Sequence, residues 1–245
     1  MNRGPASVSP KADISAVAVA AALPMLVTLV YFVMLAQQAA SIQQGAYLAG
    51  KTVQFAFPLV WVLAVQRRRL HFTRPAVVGL LEGIAFGGLV LAAMTALYHG
   101  WLKHTDYLEA ASGEVRQKVI GLGLDARWKY AAMGTFYAVG HSLLEEYYWR
   151  WFVFVQLRRL VRLPAVIAIS SLAFMAHHVI LLATFFGWWS PATALFSLCV
   201  AVGGAIWAWI YERSSSLWGP WMSHLLVDAA IFLIGYDLVA ELFKS

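Results

Sequence analysis

The sequence predicts an all-α fold: a polytopic membrane helix bundle with about seven transmembrane helices, forming one integral-membrane domain over 1–245. Three observations lead there. Of the 245 residues, 61% are hydrophobic and only 12% charged, whereas a soluble domain carries about 25% charged residues and 45–50% apolar ones. Mean hydropathy is +0.69, and no soluble core of this length hides so much apolar surface. Finally, the apolar residues gather into runs close to the ~20 residues that one bilayer crossing needs.

Those runs are seven: 14–36, 46–66, 76–99, 129–157, 163–186, 191–211 and 217–241. The first follows Arg3 and Lys11 and stays apolar from Ile14 to Leu35. That exceeds the ~7–15 residues of a signal-peptide core, so the sequence reads as an uncleaved span. Pro24 and Pro58 lie inside the first two runs, where a bilayer helix kinks but survives. Arg67-Arg68-Arg69, Arg74 and Pro75 end the second run and precede the third. The third carries Gly79, Gly83 and Gly87 at four-residue spacing, a stripe of small residues that lets another helix pack closely. Arg158, Arg159, Arg162 and Pro164 separate the fourth run from the fifth, and Ser190-Pro191 opens the sixth.

With the N-terminus in the cytoplasm, one side holds Arg3, Lys11, Arg67, Arg68, Arg69, Arg74, Arg158, Arg159, Arg162 and Arg213. The short loops on the other side, 37–45 and 187–190, hold no charge. The positive-inside rule therefore predicts N-in and, with seven spans, C-out. The outer segment 100–128 has mixed charge and is expected to hold short interfacial helices. This placement of the basic residues accounts for the net charge of +6 and argues against nucleic-acid binding. The single cysteine, Cys199, excludes an intramolecular disulfide and a Cys-ligated structural zinc site.

Charges inside a bilayer cost on the order of 2.5–3.5 kcal/mol each, so each asks for a reason. The fourth run contains Glu145, Glu146 and Arg150. Glu146 and Arg150 are i, i+4 on a helix and are expected to form a structural ion pair. Glu145 points about 100° away, on the face of His141. The fifth run holds Phe174, His177 and His178, and the seventh holds His224 and Asp228 at i, i+4. At ~1.5 Å per residue from the cytoplasmic ends, Glu145 lies roughly 18 Å deep, His178 roughly 22 Å, His224 roughly 10 Å and Asp228 roughly 16 Å. Three helices thus bring acids and imidazoles to one layer. Glu82, about 9 Å from its helix end, is expected to meet a headgroup or an arginine. Lys51 is expected to snorkel outward.

These residues resemble the signature of the CAAX-protease and bacteriocin-processing family of intramembrane endopeptidases. That signature is Glu-Glu-x-x-x-Arg, then Phe-x-x-x-His, then His-x-x-x-Asn/Asp. Here it reads Glu145-Glu146-Tyr147-Tyr148-Trp149-Arg150, Phe174 to His178, and His224 to Asp228. The resemblance covers about 129–241; the first three spans share only their hydrophobicity. It implies glutamate-dependent hydrolysis with no cofactor and no metal. Glu145 with His178 would activate a water, His224 with Asp228 would stabilise the oxyanion, and Glu146 with Arg150 would support the structure. Asp228 stands where many relatives have Asn, and it donates a hydrogen bond only when protonated. His177 reads as a packing residue, and His141 is left unassigned.

The implied partners are a membrane-associated protein or peptide substrate and the lipid bilayer, and the implied location is a bacterial inner (plasma) membrane. Prenylated tails, bacteriocin precursors, regulatory peptides and C-terminal sorting tails all remain open as substrates. Three other readings compete. His178, His224 and Glu145 or Asp228 would suit a zinc protease, although no HExxH motif supports it. A non-catalytic immunity or interaction protein would share the fold. A proton-coupled transporter would also need intramembrane acids and histidines, but the matched halves that transporters tend to show are missing.

Overall fold

The computed structural model describes residues 10–70, 73–105 and 108–243; Arg3 lies outside them. Every regular element among the described residues is helical. In chain order they are α1 (Pro10–Leu29), α2 (Ala40–Val60), α3 (Val77–Gly100), α4 (Glu109–Gly121), α5 (Arg127–Thr135), α6 (Ser142–Glu146), α7 (Val155–Arg158), α8 (Leu163–Phe186), α9 (Pro191–Ser214) and α10 (Trp218–Val239). π-Helical turns extend α1 and α2, at Val30–Met34 and Trp61–Val65. Two more, Phe136–His141 and Tyr147–Phe154, frame α6. The segment 100–128, expected to hold short helices, contains α4.

Five helical stretches are long and apolar enough to cross a bilayer: Lys11–Met34, Ala40–Val65, Val77–His104, Leu163–Phe186 and Pro191–Ser214. The other two expected spans are also helical, but they carry Glu145, Glu146 and Arg150 in one and His224, Asp228 and Asp237 in the other. The chain is an all-helical membrane bundle, and the count of seven crossings remains an expectation.

The chain divides into two compact units, each made of two stretches. The first comprises Met1–Arg74 and Tyr147–Glu212. Here one proline is accommodated by a tyrosine from far along the chain. Pro24 has no N–H to give the carbonyl four residues back, and that carbonyl, of Ala20, accepts a buried hydrogen bond of 2.7 Å from the Tyr148 hydroxyl. The neighbouring Tyr147 donates to the Phe55 carbonyl at 3.3 Å, one residue along from the Gln54 carbonyl that Pro58 leaves without its N–H. Leaving such a carbonyl unpaired in a dry interior would cost ~1–3 kcal/mol. A polar cluster closes one end of this unit. Gln66 donates to Gln156 at 2.8 Å and to Asp13 at 3.3 Å, and Arg159 donates to Gln156 at 3.1 Å. Gly187 ends α8 at φ +86°, a left-handed conformation that a side chain resists. Ser190 then caps α9, accepting from the backbone N–H of Ala192 and Thr193.

The second unit comprises Pro75–Glu146 and Arg213–Ser245. Its main contact is α3 against α10, and the expected glycine stripe makes it. A Cβ on Gly83 would run into the Gly219 carbonyl, and one on Gly87 would lie 2.8 Å from the Ser223 backbone. Gly88, next along the helix, faces open space. Glu82 meets an arginine, as expected: Arg213, at 3.1 Å. At the other end, Val119, Tyr130, Val239 and Phe243 form a small core that holds α4 on α10. Backbone collides with backbone at Gly83, so Gly83→Leu should cost more than the ~1–3 kcal/mol of ordinary overpacking. Thermal unfolding in detergent checks this. Gly83→Leu should lower the midpoint sharply, and Gly88→Leu should leave it within error.

Candidate active site

In the second unit the site is built around a single helical turn. α6 carries Glu145 and Glu146 with only 2% and 0% of their surface exposed. π-Turns are uncommon and concentrate at functional positions; the one before α6 alters how its backbone is paired. The Ser142 N–H bonds to the Tyr137 carbonyl, five residues back. The Ser142 hydroxyl donates to the Ala138 carbonyl at 2.5 Å, which an unbroken α-helix would have given to that N–H.

α10 brings His224 and Asp228 to the same place. His224 Nδ1 lies 2.8 Å from Glu146 Oε1, a true hydrogen bond. An ionised carboxylate only accepts, so with Glu146 ionised the imidazole proton sits on Nδ1. The opposite nitrogen, Nε2, lies 3.8 Å from Glu145 Oε2 and 3.7 Å from Asp228 Oδ1. One imidazole therefore faces three carboxylates, bonded to one and within ion-pair range of two. The other oxygen of Glu145, Oε1, lies 3.8 Å from His141 Nε2. At these separations a carboxylate and an imidazole influence each other strongly when little water intervenes.

The first unit holds the other motif residues. The Phe-x-x-x-His spacing acquires a physical reason there. His178 Nδ1 lies 3.0 Å from the Phe174 carbonyl; a carbonyl cannot donate, so Nδ1 carries a proton, and in the neutral ring Nε2 keeps a lone pair for a base or a ligand. The Phe174 ring also serves Arg150, whose guanidinium lies 5.1 Å from it and 5.2 Å from the Trp207 ring. Cation–π contacts of this kind are worth more once desolvated. Arg150 donates to the Gly204 carbonyl at 3.1 Å as well. His177 is 5% exposed and stacks on Trp149, with ring planes 4° apart.

The structure thus groups Glu145, Glu146, His224 and Asp228 in one unit and Phe174, His178 and Arg150 in the other. Sequence reasoning placed His141 beside Glu145 but missed Glu146 as the partner of His224, Trp207 as that of Arg150, and His224 at the second oxygen of Glu145. Only His141, at i−4 from Glu145, left a readable signal.

Residues 127–230 match a family model described as type II CAAX prenyl endopeptidase Rce1-like. The matched stretch contains all the motif residues and His141. No curated protein and no solved structure matches the chain.

Proposed function

We propose that the chain, which over residues 127–230 is similar to the Rce1-like CAAX prenyl endopeptidases, is a glutamate-dependent intramembrane endopeptidase acting on a membrane-associated protein or peptide. The observation that carries this reading is Glu145, a buried carboxylate flanked by two imidazoles at 3.8 Å and followed directly by a glutamate already bonded to His224. A carboxylate held this way suits a general base. Glu145 takes a proton from water, and the hydroxide oxygen adds to the scissile carbonyl carbon. The oxyanion that forms needs donors aimed at it. His224, doubly protonated, supplies one at Nε2, and Asp228 supplies another in its acid form. Collapse of this intermediate breaks the C–N bond, and the proton held by Glu145 leaves with the amine. His178 is assigned to the attacking water by its place in the motif. The site is reached from the cytoplasmic half of a bundle with its N-terminus inside and seven crossings.

The test uses purified protein in lipid nanodiscs with a farnesylated peptide carrying a CAAX tail, and the same peptide without the lipid. Cleavage on the N-terminal side of the tail, faster for the lipidated peptide and unchanged after exhaustive chelation, is the expected result. Loss on chelation with recovery on adding zinc would replace the glutamate mechanism by a metal one. Absence of cleavage from both peptides would point away from prenylated tails as the substrate class.

A further inference from the structure

We propose that His141 is a positioning residue for the base, facing Oε1 of Glu145 at ion-pair range while His224 faces Oε2. This rests on the endopeptidase reading and adds a residue that lies outside all three motifs. The two imidazoles are equidistant from the carboxylate, each with Nε2 at 3.8 Å from a different oxygen. His224 is shared with two further acids. His224 also binds Glu146 through Nδ1 and faces Asp228 at 3.7 Å, so its position is a compromise among three acids. His141 approaches from the preceding turn of the same helical stretch, with its side chain 15% exposed.

Its ring is fixed from below. Tyr137 lies 5.0 Å from it, tilted by 45°, and Tyr137 in turn stacks on Phe232 of α10 at 5.5 Å. His141 is also the last residue of the π-turn, and the Ser142 hydroxyl secures the carbonyl pairing just beyond it. A turn of this kind is uncommon and occurs frequently at functional sites. A base must be within reach of its proton and held in orientation. A carboxylate with an imidazole near one oxygen alone can still rotate about its last bond; with one within ion-pair range of each oxygen, it favours a single orientation toward the water. His141 therefore acts on the chemical step, and substrate binding does not depend on it.

A packing role predicts something different, and substitution separates the two. His141→Phe keeps a ring on Tyr137 and removes the nitrogen. Its kcat should fall about 10- to 100-fold, the scale of an ångström-level misplacement, with KM and the unfolding midpoint unchanged. His141→Gln, which returns an N–H at similar reach, should recover much of that loss. If the Phe variant fails to fold, His141→Met, of similar length and without a donor, takes its place. A Phe or Met variant with wild-type kcat, or a Gln variant as slow as either, overturns the proposal. Glu145→Gln is run beside them. Wild type no faster than Glu145→Gln ends the endopeptidase reading and this proposal with it. Wild type that cleaves while His141→Phe matches it removes His141 alone.

Discussion

Glu145→Gln is expected to leave a folded, membrane-inserted protein that has lost cleavage by about 10²–10⁴-fold, the contribution of a general base. The substitution changes almost nothing except basicity. Glutamine has the same shape, and the position is 2% exposed, so it fits without a cavity. The carboxylate makes ion-pair contacts of 3.8 Å to His141 and His224, too long for hydrogen bonds, so an amide there breaks no hydrogen bond to either ring. What it cannot do is take a proton from water near neutral pH. Rate, unfolding midpoint and elution volume should be measured together. Full cleavage by a well-folded Glu145→Gln would remove Glu145 from the chemistry. Equal loss of cleavage and of folded protein would make it a structural residue. Neither result is what a buried carboxylate between two imidazoles leads one to expect.

Much of this is legible in the sequence, for physical reasons that can be named. Helix positions follow from apolar run length and from the Arg and Pro residues between runs, because the bilayer leaves few other ways to satisfy a backbone. The glycine stripe announced a close helix contact, and Gly83 and Gly87 make it against Gly219 and Ser223. Glu82 was expected to find an arginine or a headgroup and finds Arg213. Partner choice was harder. Glu146 and Arg150 stand at helical spacing, which the sequence reads as an ion pair, and each also has a partner from far along the chain. The bond from His224 Nδ1 to Glu146 joins residues 78 positions apart, which no periodicity reveals. The same holds for Arg150 above Trp207. Tyr148 was half readable: Pro24 says that the Ala20 carbonyl needs a donor, but not that a tyrosine 128 residues later provides it.

His224→Ala should slow cleavage by roughly 10²–10³-fold, the usual cost of one oxyanion donor, whereas Asp228→Asn should keep the rate within about tenfold of wild type. The contrast follows from what each side chain offers. His224 places Nε2 toward Glu145 and Asp228 while Glu146 fixes the ring through Nδ1, so alanine removes both the donor and the link among the carboxylates. An asparagine at 228 donates through its amide whatever the pH, which an aspartate does only as the neutral acid. If the second donor is what the chemistry requires, the amide satisfies it. Rates for both variants should be taken with thermal unfolding curves, since alanine also opens a void beside the 0%-exposed Glu146. A loss confined to kcat in His224→Ala marks a group that acts mainly in the transition state. Should Asp228→Asn be as slow as His224→Ala, the negative charge of Asp228 is what matters. Its task would then be to hold His224 in the doubly protonated form, leaving that imidazolium as the donor to the oxyanion.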